Sequence, residues 1–259
     1  MKPIQRPRLS VIIITKNEAH DIRDCLASIA WADEIIVLDS GSSDDTVSIA
    51  SEYTNQIYHA TDWQGFGVQK NRALAYATKD WVLSLDADET INELLQKEII
   101  SALQSPNFDV YYIPRLSSFC GKFIHHSGWR PDYVARLFKR EAAEFSNQLV
   151  HERLIFKTHA GYLKQSLLHL SYKNLDEVLE KMQRYSMLGA AELFAKNKRA
   201  TLTSAIFHSI WAFIRTYVIK LGFLDGKHGL ILAITNAETT YHKYLQLYFL
   251  TRKTIKSKE

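Results

Sequence analysis

Cysteine is scarce in this chain. Cys25 and Cys120 are the only two among 259 residues, and neither belongs to a C-x-x-C pair. A disulfide framework would need more of them, so free thiols in a reducing cytoplasm are the simpler account. Glycine and proline are also few, at 10 and 5 residues. With 46% hydrophobic and 23% charged residues, this excludes disordered and low-complexity readings. No internal repeat is found. Neither a G-x-G-x-x-G sequence nor a Walker loop occurs, which disfavours NAD-dependent and P-loop chemistry. The basic N-terminal segment 1–8 precedes an apolar run, Val11 to Ile14, that is far too short for a signal peptide, so export is not expected.

Charge is present but uneven. The formal net charge is +4, yet residues 174–259 carry 13 Lys and Arg against 7 Asp and Glu, leaving the remainder slightly acidic. A basic, aromatic rear segment fits either an anionic partner or a solvated basic helix face.

The front half alternates short apolar runs with amphipathic stretches. Leu9–Ile14, Glu34–Asp39, a weak Gln56–His59 and Trp81–Leu85 read as strands. Helices are expected over Glu18–Ala30, Asp44–Tyr53 and Val68–Ala77. This alternation predicts an α/β fold, a Rossmann-like and mostly parallel sheet with helices on both faces. In such sheets ligands bind beyond the carboxyl ends of the strands. Three polar clusters fall there: Thr15-Lys16-Asn17-Glu18, Asp39-Ser40-Gly41-Ser42 and Asp86-Ala87-Asp88. Past residue 108 strand-like pieces follow at Val110–Pro114, Tyr133–Lys139 and Leu149–Phe156, as antiparallel additions to the sheet. From about Asn174 the chain reads as helical, near 174–197, 201–221 and 228–250. The expected organisation is a catalytic domain over 1–173 and a basic helical extension over 174–259.

Asp86 and Asp88 are two apart beyond an apolar strand, so in extended backbone both carboxylates face one way. Two hard oxygen ligands suit Mg²⁺ or Mn²⁺, with further ligands from diphosphate and water. The bland alternative is a solvated turn. Asp39 follows a strand, where an acid commonly bonds a nucleotide's ribose or base. Ser43 or Asp44 is the better candidate for the helix cap. Thr15 and Glu18 read equally as a helix-capping arrangement. His125-His126 and His159…His169 match no zinc spacing, and isolated histidines of this kind are more often surface or satisfied core residues.

The set Thr15-Lys16-Asn17-Glu18, Asp39-Ser40-Gly41-Ser42-Ser43-Asp44, Gln69-Lys70-Asn71 and Asp86-Ala87-Asp88-Glu89 resembles the family 2 glycosyltransferases of GT-A fold. The resemblance continues through Arg136-Leu137-Phe138, Val150-His151-Glu152 and Gly222-Phe223-Leu224-Asp225-Gly226. There it looks most like bacterial lipopolysaccharide core β-1,4-glucosyltransferases. It implies a nucleotide-sugar donor, UDP-glucose in that branch, a divalent cation, and a lipid-linked inner-core heptose as acceptor. No nucleic-acid partner is expected.

Carried over by position, Thr15, Glu18 and Asp39 would hold the nucleotide and Lys70 would approach the diphosphate. Many relatives have Arg at that position. Asp86 would face the nucleotide and Asp88 the metal. An inverting transfer needs a base for the acceptor hydroxyl, and Glu152 is the candidate. Strand alternation puts His151 on the opposite face, as a structural hydrogen-bonder, while an exposed Glu152–Arg153 pair is the plain alternative. The Q-x-x-R-W sequence of processive synthases is absent, which favours addition of one sugar. Competing readings are transfer to a polyprenyl phosphate, a sugar-nucleotide nucleotidyltransferase, and a non-catalytic nucleotide-binding protein.

In the rear segment Ile206, Ile210, Phe213-Ile214, Tyr217 and Leu221 recur at helical spacing, interrupted by His208, Arg215 and Lys220. With no unbroken apolar run of about 18 residues, a span is not expected. Either the helix lies on the cytoplasmic leaflet of the inner membrane, or it packs on the domain or a neighbouring subunit.

Overall fold

The computed structural model describes residues 7–147 and 152–256. The chain forms two compact units. Unit 1 comprises Met1–Arg115 and Asp132–His169, and unit 2 comprises Leu116–Pro131 and Leu170–Glu259.

Unit 1 begins with four strands, β1 (Leu9–Thr15), β2 (Glu34–Asp39), β3 (Ile57–His59) and β4 (Trp81–Asp86). They are linked by helices α1 (Ile22–Ser28), α2 (Thr46–Ser51) and α3 (Phe66–Tyr76). The strands pair in parallel in the order β3-β2-β1-β4. The strand order reverses at β1, which creates a crevice beyond the carboxyl ends of β1 and β4.

The continuous apolar character of β1 follows from burial on both faces. Leu9, Val11 and Ile13 enter one core with Ile22, Cys25 and Leu26 of α1. Ile12 and Ile14 enter the other with Ala73 of α3 and Ala77 just beyond it. After β4 come β5 (Glu89–Thr90) and α4 (Glu93–Gln104). Asn92 caps α4 by accepting from Leu95 N at 2.9 Å. This helix escaped the sequence reading although Leu95, Ile99 and Leu103 at helical spacing fill the first core.

Beyond α4 the pairing is mainly antiparallel, with β11 (Ala160–Tyr162) parallel to β6 (Val110–Phe119) as the exception. Strands β6 (Val110–Phe119), β7 (Lys122–Phe123) and β8 (Tyr133–Lys139) follow. Strand β8 pairs antiparallel with both β4 and β6. Next come β9 (Ala143–Phe145), β10 (Leu154–Phe156), β11 (Ala160–Tyr162) and β12 (Leu167–Tyr172). β9 and β10 form a hairpin, and β12 pairs antiparallel with β5. The expected strand from Leu149 is thus observed only as Leu154–Phe156; positions 149–151, including His151, lie outside the described residues.

Unit 2 is mainly helical, with α5 (Leu175–Ala195), α6 (Leu202–Ile214) and α7 (Gly226–Lys256). Asn174 caps α5, and Thr201 with Ser204 forms a capping box for α6. Segment 116–131 belongs to this unit: Phe119 and Ile124 pack with Val178 of α5 and Leu232 of α7. Asp225 is buried and accepts from the backbone N–H groups of His125 and His126, each at 3.0 Å, and from Ser127 Oγ at 2.9 Å. Burial pushes its carboxyl up, but these hydrogen bonds outweigh it and hold the group below the usual range.

Helix α6 continues through a wider π turn at Arg215–Ile219. The resulting stretch Leu202–Ile219 has 18 residues and a mean hydropathy of 1.2. By length and composition alone it can cross a bilayer, with His208 and Arg215 as the breaks in its apolar run.

Candidate active site

The carboxyl ends of β1, β2 and β4 gather the polar residues that the sequence pattern singled out. Ladder register sets Thr15 opposite Asp39 and Ile14 opposite Asp86. Thr15 is buried, and its Oγ1 has no hydrogen-bond partner.

Asp39 turns its carboxylate into its own loop. It accepts from Gly41 N at 3.0 Å and from Ser42 N and Oγ, with His59 Nδ1 at 3.4 Å. Burial raises its pKa and the Ser42 hydrogen bonds lower it further than burial lifts it, so the group stays ionised.

The loops after β1 and β2 are stitched together. Asn17, in the left-handed region at φ 57°, donates from its N–H to Ser42 Oγ at 2.9 Å and accepts from Ser43 N at 2.8 Å. Ala19 N donates to Asp44, and Glu18 N to Thr46 Oγ1. Residues 19–21 form a turn before α1, so the expected helix start at Glu18 moves to Ile22 because these side chains take the orphan N–H groups first.

Lys70, on α3, is the centre of the second cluster. Its ammonium lies 3.0 Å from Asp86 Oδ1 and 2.9 Å from Glu152 Oε1, with only 4% of the side chain exposed. Three residues far apart in sequence therefore meet around one cation. Asp86 Oδ2 contacts the Arg136 guanidinium. Arg136 also donates to Glu89 Oε1 at 2.7 Å, and Glu89 Oε2 accepts from Asp86 N at 3.0 Å. Burial pushes the Asp86 carboxyl up, but Arg136 and Lys70 hold it far below the usual carboxylate range. Glu89, fully buried, is raised by that burial against the pull of Arg136.

These groups wall a cleft of about 630 Å³, a size that suits a sugar-bearing ligand. Lys70, Asp86, Arg136 and Glu152 line it with Tyr112, Arg115, Asp132 and Arg153. Arg115 is itself braced by Asp132 at 2.8 Å. Thr15, Glu18, Asp39 and Asp88 do not line this cleft.

Asp88 follows β4 in a turn, and its Oδ2 lies 3.2 Å from His169 Nε2. The two carboxylates of the Asp86-Ala87-Asp88 sequence thus have different partners: cationic side chains for Asp86, an imidazole for Asp88. Among the described residues no group of three or more His, Cys, Asp and Glu side chains converges as a ready-made metal cage. The Asp88 carboxylate, with diphosphate and water completing the shell, is nevertheless an oxygen donor that suits Mg²⁺ or Mn²⁺.

His169, Arg136 and Glu89 were named in the sequence motifs but were given no role at the site. His169 is set opposite Glu89 by the β5–β12 ladder, a pairing 80 positions apart that no local spacing announces. Arg136 did carry a signal: an arginine inside the apolar run of β8 must find acidic partners if it is buried, and it is 5% exposed.

The α/β sheet with its strand-end polar cluster is a GT-A fold. The family model for glycosyl transferase family 2 matches residues 10–170, and the chain belongs to that family. It is 29% identical to an uncharacterized glycosyltransferase of Rickettsia conorii, over 97% of this chain and 92% of the relative. It is 27% identical to the lipopolysaccharide core biosynthesis glycosyltransferase LpsC of Rhizobium meliloti, over 91% of this chain and 93% of that one. Among solved structures, S. aureus TarS 1-349 in complex with UDP aligns over 92% of this chain and 91% of its own, at a TM-score of 0.50 and 16% identity, a likeness of fold.

Proposed function

We propose that this glycosyltransferase moves a hexose, glucose from UDP-glucose, onto a heptose of the lipopolysaccharide inner core with inversion at the anomeric carbon. The observation that carries the reading is the Lys70 ammonium shared by Asp86 and Glu152 inside one cleft. A cation for the donor's diphosphate and a carboxylate for the acceptor's proton stand side by side there. The relative LpsC, named for lipopolysaccharide core biosynthesis, supports the acceptor class.

In this scheme Thr15, Glu18 and Asp39 form the nucleotide end of the site. Lys70 approaches the diphosphate, and Arg136 keeps Asp86 ionised and oriented. Asp88, positioned by His169, would hold Mg²⁺ or Mn²⁺, which would supply charge neutralisation for the departing nucleoside diphosphate. Glu152 accepts the proton of the attacking hydroxyl, so that oxygen gains nucleophilicity as the bond to the leaving group breaks. A lipid-linked acceptor would put the reaction at the cytoplasmic surface of a membrane.

The test is transfer from a panel of UDP-, GDP- and ADP-sugars to truncated, heptose-bearing lipopolysaccharide, with Mg²⁺ and then with chelator. UDP-glucose should be the productive donor, and chelation should abolish turnover. Glu152→Gln should lower kcat by about 10²–10⁴-fold with the fold intact. Full activity in that variant would overturn the base assignment and favour an acceptor that is already ionised, such as a polyprenyl phosphate.

A further inference from the structure

Unit 2 presents an apolar face that nothing within the unit covers. On α6 and its π-turn continuation, Leu202, Ile206, Phe207, Ile210, Trp211, Ile214, Val218 and Ile219 are all exposed, Phe207 at 68%. At 100° per residue the α-helical members of this set occupy one half of the helix circumference. The opposite half is where the helix packs: Ala205 and Thr216 are buried, Ser209 Oγ donates to Ala237 O of α7 at 2.9 Å, and His208 stacks on Tyr244. The exposed half is thus a separate surface, larger in apolar content than a monomer normally leaves in water.

Its electrostatic setting identifies the occupant. From Lys196 to Leu224 the sequence has no acidic residue, while Lys196, Lys198, Arg199, Arg215 and Lys220 are all present. All five side chains are exposed, and Lys196 is paired with the carboxylate of Glu192 at 2.5 Å. A broad apolar stripe with an excess of cations at both ends is complementary to a bilayer of anionic lipid, where acyl chains take the stripe and headgroups take the cations. It is not complementary to a second copy of itself, whose cations would be brought together.

We propose that α6 with its π-turn continuation is an in-plane membrane anchor for anionic lipid, lying along the interface with Phe207, Trp211 and their neighbours inserted to acyl depth. A crossing orientation is disfavoured because the packed half of the helix is occupied by α7, which would carry Lys227, Glu238 and Lys243 into the hydrocarbon. This inference rests on the surface of unit 2 and is independent of the donor and acceptor assignments.

The test uses the full chain and vesicles of phosphatidylcholine with 0 or 40% phosphatidylglycerol. Co-sedimentation should require the anionic lipid, and brominated lipid should quench fluorescence that is lost in Trp211→Phe. The double variant Phe207→Glu with Trp211→Glu should abolish binding while keeping the far-UV spectrum. Arg215→Glu with Lys220→Glu should weaken binding on the order of tenfold or more. Three results would overturn the proposal: no binding to anionic vesicles, bound protein that resists alkaline carbonate extraction as a spanning helix does, or a dimer in sedimentation equilibrium that the Phe207→Glu, Trp211→Glu variant converts to monomer.

Discussion

Gly67 bears directly on where Glu152 sits. A Cβ added there would lie 1.8 Å from the carbonyl oxygen of Ser146 and 3.5 Å from Glu152 Cβ. Backbone cannot yield to that overlap without shifting the segment that leads to Glu152. Gly67→Ala should therefore cut transfer at least tenfold and lower the thermal midpoint as well, because Gly67 is buried in the first turn of α3. Steady-state kinetics on a donor and acceptor pair check it. A variant with unchanged kcat/KM would mean the segment relaxes without moving the carboxylate. A misplacement of about 1 Å at a reacting group is enough for such a loss.

Among the elements, β4 and β8 are joined by charge as well as by their ladder. Replacing Arg136 by Met would leave Glu89 with Arg115 at 3.7 Å as its remaining cationic neighbour and Asp86 with Lys70. Removing one partner of a buried ionic cluster costs on the order of 3–5 kcal/mol, so Arg136→Met should show a clearly lower urea midpoint. Glu34, at the start of β2, makes a second contribution of this kind. Burial pushes its carboxyl up, yet hydrogen bonds from Ser10 and Thr78, with Lys79 nearby, lower it to about 2 from an ordinary 4.5. A depressed folded value means the stabilisation is complete above pH 4.5 and disappears as pH falls toward 2. Glu34→Gln should thus be less stable than the native chain at pH 7, and the two urea midpoints should converge in acid.

The same elements show what sequence patterning can and cannot deliver. The β-branched runs of β1 and β2 and the alternation with α1–α3 were legible because burial on two faces leaves a continuous apolar signature. Lys70, Asp86 and Glu152 were legible as motif members, yet their meeting at one ammonium was not. It depends on α3, β4 and the segment beyond β9 closing on one another, which no local period encodes. His169 was hidden for the same reason.

For the molecule as a whole, chain order and spatial grouping diverge. The helical extension expected over 174–259 shares its core with residues 116–131: Phe119 and Ile124 are buried against Val178 and Leu232. We propose that the C-terminal helices are not removable as a unit. A chain ending at Tyr172 would expose those side chains and strip Asp225 from the backbone N–H groups of His125 and His126. It should be recovered as an aggregate, measured by the soluble fraction on expression and by dye binding to exposed apolar surface. A soluble, cooperatively folding product of that length would show that unit 1 stands alone.

The stitching between the loops after β1 and β2 has an evolutionary corollary. Asn17 bonds Ser42 and Ser43, Glu18 bonds Thr46 and Ala19 bonds Asp44, so three consecutive residues of one loop are tied to four residues of the other. A single-residue insertion or deletion in either loop would break several of these bonds at once. Length in these two stretches should be far less tolerant of change than residue identity, and compensating indels should arise in both or in neither.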